Sequence, residues 1–252
     1  MELLKYHFVA PSGYSYDIRE QNGQDEEILS NQFDAKNLMN LTKFIAGIVV
    51  HTDFTESGKL LVNDVLKLPL LDRYCILINS RIFSLGPELT FSYQWSKDDV
   101  VTYEQDLNEF VFDYNEIPSE EELKAKPDAI PFYPCGKSVK EPHEFSTTSG
   151  KLIRWQHLNG EGEIFLLNLP ETQRTRNSEL LARKLEFFVE GNWEKVTNFS
   201  LFSMKDMAEI RKEILSNDPI FAGLTPIENP ITREVTKYPI MAAPSFFYLT
   251  ED

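Results

Sequence analysis

Cysteine is almost missing from this sequence: only Cys75 and Cys135 occur in 252 residues. One lies in an apolar helical pattern and the other in a Pro/Gly loop, so no disulfide framework is expected and a reducing compartment suits the chain. Long apolar runs are missing too. Phe44 to Val50 and Tyr74 to Ile78 are far shorter than the roughly 20 residues needed to cross a bilayer. Met1 to Ala10 alternates polar and apolar residues without a basic start, so it reads as a strand and not as a signal peptide. Positive charge is scarce: 25 Lys and Arg face 40 Asp and Glu, a net charge of −15. That balance argues against a phosphate backbone as the main partner.

Reactive constellations are missing as well. Gly136-Lys137-Ser138 copies the end of a phosphate loop, but the glycine required five residues earlier is Pro131, which has no amide to offer. The four histidines, His7, His51, His143 and His157, are scattered, and no two ligands sit at a metal-binding spacing. His143 and His157 can meet across strands, and Cys135 lies near His143 in the chain. Spacing alone still predicts no metal and no cofactor. The carboxylates of Asp25 to Glu27, Asp98-Asp99 and Glu120 to Glu122 fall in polar loops or caps, where solvation keeps them ordinary. A Gly-x-Ser-x-Gly nucleophile turn does not occur. The expectation is a protein that is not an enzyme and takes no small-molecule ligand.

What is present is patterned. Aromatic residues make up 12% of the chain, including 18 Phe, and suit core packing or subunit contact. Leu3 to Val9 and Tyr14 to Ile18 read as strands, and Asp34 as the cap of a helix carrying Leu38, Leu41, Ile45 and Ile48 on one face. Val62 to Leu85 reads as helical with a break at Pro69. Leu71, Tyr74, Ile78, Ile82 and Leu85 form its stripe, and Gly86 is its left-handed terminator. Arg73 and Arg81 adjoin that stripe and are expected to pair with Asp106, Glu109 or Asp113.

Beyond Gly86 the period changes to two at Leu89, Phe91, Tyr93 and Trp95, and a second strand is expected over Phe110, Phe112 and Tyr114. Ser119 and Glu122 form a capping box inside a linker from Ile117 to Phe132. Lys151 to His157 and Glu163 to Leu169 read as a hairpin joined at Asn159-Gly160. Leu181, Leu185 and Phe188 share one helix face. Ser203 and Asp206 box the start of another helix, with Met207, Ile210 and Ile214 inward. The fold class is α+β, mixed helices and antiparallel strands in two subdomains. The regions are an N-terminal strand and helix unit (1–57), a helical hairpin with acidic strands (58–126) and a C-terminal α+β region (127–252).

Leu71-Asp72-Arg73-Tyr74, Ile76-Leu77, Arg81-Ile82, Ser84 and Gly86, followed by Glu104-Gln105-Asp106-Leu107, resemble the baseplate hub family of T4-like bacteriophages. A looser similarity continues through Asp206-Met207, Ile210-Arg211 and Asp218-Pro219 to Pro244-Ser245-Phe246-Phe247-Tyr248. Related proteins can carry a Cys-x-x-Cys ribbon before the final aromatic segment, where this chain has Ile227-Glu228-Asn229-Pro230. The resemblance implies a structural or assembly subunit of a contractile tail baseplate, built in the host cytoplasm, retained in the virion and contacting other tail proteins. It transfers no catalytic residues. Asp72, Arg73, Arg81, Gly86, Asp106, Phe246, Phe247 and Tyr248 become the structural or interface candidates, with Met1 to Ile18 and Ile231 to Leu249 as interface segments. The alternatives are an assembly chaperone absent from the mature particle and a tail-associated hydrolase using carboxylates that the fold brings together.

Overall fold

Alternating side chains near the start of the chain build its first sheet. The computed structural model describes residues 4–248, and in it β1 (Lys5–Val9) pairs antiparallel with β2 (Ser15–Arg19). Phe8, Tyr16 and Ile18 are thereby buried on one face. Gly13, at φ +81°, makes the turn between them. The polar stretch that follows is helical: α1 (Gly23–Leu29) is closed by an Asn22/Asp25 capping box, and α2 (Gln32–Ala35) by Asn31. Asp34 therefore lies inside a short helix and caps nothing, because Asn31 accepts the amides first. Leu38, at φ 55°, interrupts the chain before α3 (Met39–Ile48) buries Phe44, Ile45 and Ile48. β3 (Val49–Thr52) then completes the sheet in the order β1-β2-β3.

The break at Pro69 separates α4 (Val62–Val65) from α5 (Leu70–Leu85). α5 is more than amphipathic. Every residue from Leu71 to Arg81 except Tyr74 is buried, so its polar side chains are inside with its apolar ones. Gly86 ends it at φ 87° and ψ 167°, an extended positive-φ conformation suited to glycine and distinct from the left-handed helical one expected. β4 (Glu88–Ser96) pairs with β5 (Asp99–Asp106). The second strand thus comes before Phe110, and Leu107–Phe110 is a 3-10 turn whose Asn108 amide is capped by Asp106.

α6 (Glu120–Ala125) starts at the Ser119/Glu122 box. A four-stranded antiparallel sheet follows, β6 (His143–Ser146), β7 (Leu152–Trp155), β8 (Glu186–Val189) and β9 (Asn192–Lys195), in sequence order. Between β7 and β8 lie α7 (Gly160–Asn168) and α8 (Ser178–Ala182). Asn159-Gly160 is therefore no hairpin turn. The Asn159 side chain accepts the Gly162 amide and starts a helix where a strand was expected. Leu181, Leu185 and Phe188 do not share a helix either, since the chain turns at Lys184, φ 53°, and continues as β8. α9 (Met204–Asn217) begins at the Ser203/Asp206 box. The hairpin of β10 (Leu224–Glu228) and β11 (Val235–Pro239) comes last.

The fold is α+β. Its apolar side chains form two clusters. The larger draws on residues 8–139 and again on 221–246, and the smaller lies within 153–214. The intervening segment with the four-stranded sheet thus has its own core, while the last hairpin returns to the first. Phe91 stacks on Tyr238 at 4.4 Å, and Tyr103 donates its hydroxyl to the Glu228 carbonyl. Ser245 donates to the Thr90 carbonyl, Phe246 is fully buried, and Phe247 and Tyr248 are half-buried beside it.

Candidate functional site: two buried polar centres

Burial of α5 on all sides obliges its charged residues to find partners within the chain. Asp72 is sealed from solvent. Its carboxylate accepts from the Ser12 hydroxyl at 2.5 Å, the Ser12 amide at 3.1 Å and the Tyr16 hydroxyl at 3.1 Å. Burial outweighs these donors and pushes its pKa up to about 7. Arg73 points elsewhere. It donates to the Val65 carbonyl at 3.2 Å and the Thr42 hydroxyl at 3.3 Å, and it pairs with Glu163 of α7 at 3.4 Å. Tyr74 donates to the other Glu163 oxygen at 3.3 Å. Burial raises the Glu163 pKa and the Arg73 charge opposes that rise.

The expected partners of the two arginines are thereby corrected. Neither meets Asp106, Glu109 or Asp113 in an ion pair. Arg73 is held by a residue 90 positions on, and Arg81 donates to two backbone carbonyls, Gly86 at 2.5 Å and Glu88 at 2.9 Å. Arg81 is therefore a clasp across the α5–β4 turn, and a guanidinium suits it because its fork reaches two carbonyls at once. Gly160 permits the Arg73 site: a Cβ there would lie 2.4 Å from an Arg73 nitrogen and 3.1 Å from the Leu66 Cα. Asp106 is an exposed turn cap that pairs across the strands with Glu88 and makes no ion pair with either arginine.

The second centre lies between the Pro-rich loop and the four-stranded sheet. β6 and β7 place His143 opposite Trp155, and His157, two residues on, follows the buried face of Ile153 and Trp155. His143 stacks on Trp155 at 4.6 Å, and Tyr133 meets the His157 ring edge-on at 4.8 Å. Cys135 comes from the loop. Its Sγ is 3.3 Å from His157 Nε2, which is 2.8 Å from His143 Nε2. Burial raises the Cys135 pKa and lowers that of His143.

Behind His157 stands Asp218, with Oδ1 3.4 Å from Nδ1. Asp218 is itself fixed by Arg183 at 2.9 Å and by the Leu158 amide at 2.9 Å. Among the described residues, Cys135, His143 and His157 are the one group of three metal-ligating side chains whose ligand atoms converge, all within 4.8 Å. His157 also lines a cleft of about 430 Å³ with Lys67, Lys140, Gln156, Asn159 and Glu161. The phosphate-loop fragment forms no phosphate cradle: Gly136–Lys140 is a 3-10 turn whose end lends Val139 and Lys140 to the cleft wall, and Lys137 pairs with Asp53.

Spacing could not reveal this centre, because eight and fourteen residues separate its members. The β6–β7 register was the available signal. Comparison with protein-family models, with curated proteins and with solved structures finds no match to this chain. No described helix is long and apolar enough to cross a membrane.

Proposed function

We propose that the chain is a structural or assembly subunit of a contractile phage tail baseplate and acts through contacts with other tail proteins. The observation that carries this reading is where the residues of the hub-like motif are used. Asp72, Arg73, Arg81 and Gly86 all serve the interior: a sealed carboxylate, a buried ion pair, a backbone clasp and a turn. A motif whose charged groups are held by in-chain partners, with only Arg81 Nε buried and without a hydrogen bond, maintains a shape. Asp72 is closed to solvent on all sides, so its raised pKa does not make it an acid at an open site.

A surface for partners is available at the shared tip of two hairpins. Asn229 of the β10–β11 turn donates to Asp99 of β5 at 2.7 Å and joins the tips. Around that joint Val100, Ile231 and Val235 are 61%, 80% and 61% exposed. Large apolar side chains gathered at the end of two aromatic-backed hairpins suit a contact with another subunit. Mass spectrometry of purified tailed particles from cells producing this chain tests the reading. A fixed copy number per particle supports a virion subunit. Recovery only on assembly intermediates would move the function to a chaperone, and absence from both would end the tail assignment.

A further inference from the structure

Cys135, His143 and His157 present more lone pairs to one point than hydrogen bonding can satisfy. A neutral imidazole has one acceptor nitrogen. If His143 donates its Nε2 proton to His157 Nε2, the Cys135 thiol at 3.3 Å must compete for the same lone pair. If His157 donates instead, its Nδ1 is left bare towards the Asp218 carboxylate, and two acceptors face each other. Nδ1 is buried and has no hydrogen bond in either arrangement. A cation between the three groups removes the conflict, since each lone pair then has an acceptor of its own.

We propose that Cys135 Sγ, His143 Nε2 and His157 Nε2 bind one Zn²⁺ ion. Zn–N bonds of about 2.0–2.1 Å and a Zn–S bond of about 2.3 Å put tetrahedral ligand atoms about 3.3 to 3.6 Å apart. The observed 3.3 Å between sulfur and nitrogen is about 0.3 Å short of the roughly 3.6 Å expected for that edge, and the 2.8 Å between nitrogens is about 0.5 Å short of theirs. With all three ligand atoms within 4.8 Å of one another, side-chain rotations complete the triangle. One soft thiolate and two imidazoles select zinc over magnesium or calcium. The outer contact of His157 is a 3.4 Å charge contact that becomes the hydrogen bond a zinc histidine uses once the ring shifts to meet the metal. With Nε2 on the metal, the His157 proton sits on Nδ1 towards Asp218, whose orientation is fixed by Arg183 and the Leu158 amide. Trp155 holds the His143 ring by stacking.

Binding requires the thiolate, so the Cys135 proton passes to solvent as zinc enters. Cys135 and His143 are only half-buried, which leaves the fourth position to water. The ion would join the two cores. Tyr133 and Val139, on either side of Cys135, belong to the larger cluster, while His143 opens β6 and His157 follows β7 in the sheet that supports the smaller. This inference is independent of the tail assignment.

The test is metal binding by the full chain, purified under reducing conditions and stripped with a chelator. One equivalent of Co²⁺ is expected to give visible d–d bands with a thiolate-to-cobalt charge-transfer band, and Zn²⁺ to displace it at the same stoichiometry. Cys135→Ser is expected to lose the charge-transfer band, and His143→Gln to weaken binding by at least about tenfold. Stripping should lower the melting temperature of the wild type by about 5–15 °C and leave that of Cys135→Ser unchanged. Far-ultraviolet circular dichroism establishes that each variant is folded. A folded wild-type chain that forms no thiolate–cobalt band overturns the proposal, as does a band that persists in Cys135→Ser.

Discussion

The two buried polar centres are made of similar materials and finished differently. At Asp72 and Arg73 of α5, charged groups deep in the larger core are matched by donors and acceptors of the same chain: three donors meet Asp72, and two oxygens and Glu163 meet Arg73, while Arg81 Nε nearer the helix end is buried without a hydrogen bond. Around His157, donors and acceptors do not balance, and a buried ring nitrogen has no hydrogen bond. A balanced centre is part of folding, because removing any member leaves another uncompensated in a medium that cannot solvate it. On the proposal of a zinc ion, the unbalanced one is completed by a group from outside the chain. The contrast separates residues that hold the shape from residues offered to a ligand.

The sharpest way to break this comparison is Arg73→Ala. It would leave Glu163 without its buried counter-ion and the Val65 carbonyl with only the Leu68 amide as donor. Removing one member of a buried pair costs about 3–5 kcal/mol, a large share of the roughly 5–15 kcal/mol by which a domain is stable. Urea unfolding followed by tryptophan fluorescence measures it. A loss below about 1 kcal/mol would mean that the α5 centre is no more essential than a surface pair.

Next in size is the pH response of Asp72. In the unfolded chain its carboxyl loses its proton near the ordinary aspartate value of 3.8, and in the folded chain at about 7. Between those values the folded state binds the extra proton, so stability falls as pH rises through the window and the full contribution exists only below the lower value. A shift of about three units corresponds to about 4 kcal/mol at most. Asp72→Asn removes this proton, and the difference in unfolding free energy between wild type and variant is expected to move in the variant's favour from about pH 4 to about pH 7. A difference that stays constant over that range would show an Asp72 that is ionised throughout.

Much of this architecture was legible from local patterns and little of its polar wiring was. Pro69, Gly86 and the boxes at Ser119 and Ser203 mark helix ends because their effect is spent within one turn. The alternation from Leu89 to Trp95 marks β4 for the same reason. Asn159-Gly160 misled because asparagine serves a hairpin turn and a helix cap equally well, and the apolar run Ile164 to Leu167 is too short to choose a period. Arg73 was identifiable as special but its partner was not, since Glu163 reaches it only after the intervening chain has folded. Cys135, His143 and His157 meet for the same long-range reason, through a strand register that spacing rules do not read.

The smallest expected effect is also the most direct comparison of the centres. In the presence of a chelator, His143→Gln removes a half-buried ring from the unbalanced centre, while Arg73→Ala removes a buried charge from the balanced one. Glutamine keeps a polar side chain near Cys135 and His157, and water reaches the position, so its cost is expected below about 1 kcal/mol. Urea unfolding of the stripped chain measures it against Arg73→Ala under the same conditions. If His143→Gln in stripped protein costs as much as Arg73→Ala, the imidazole pair is a folding element in its own right. The difference in finish would then reflect packing geometry and not a ligand.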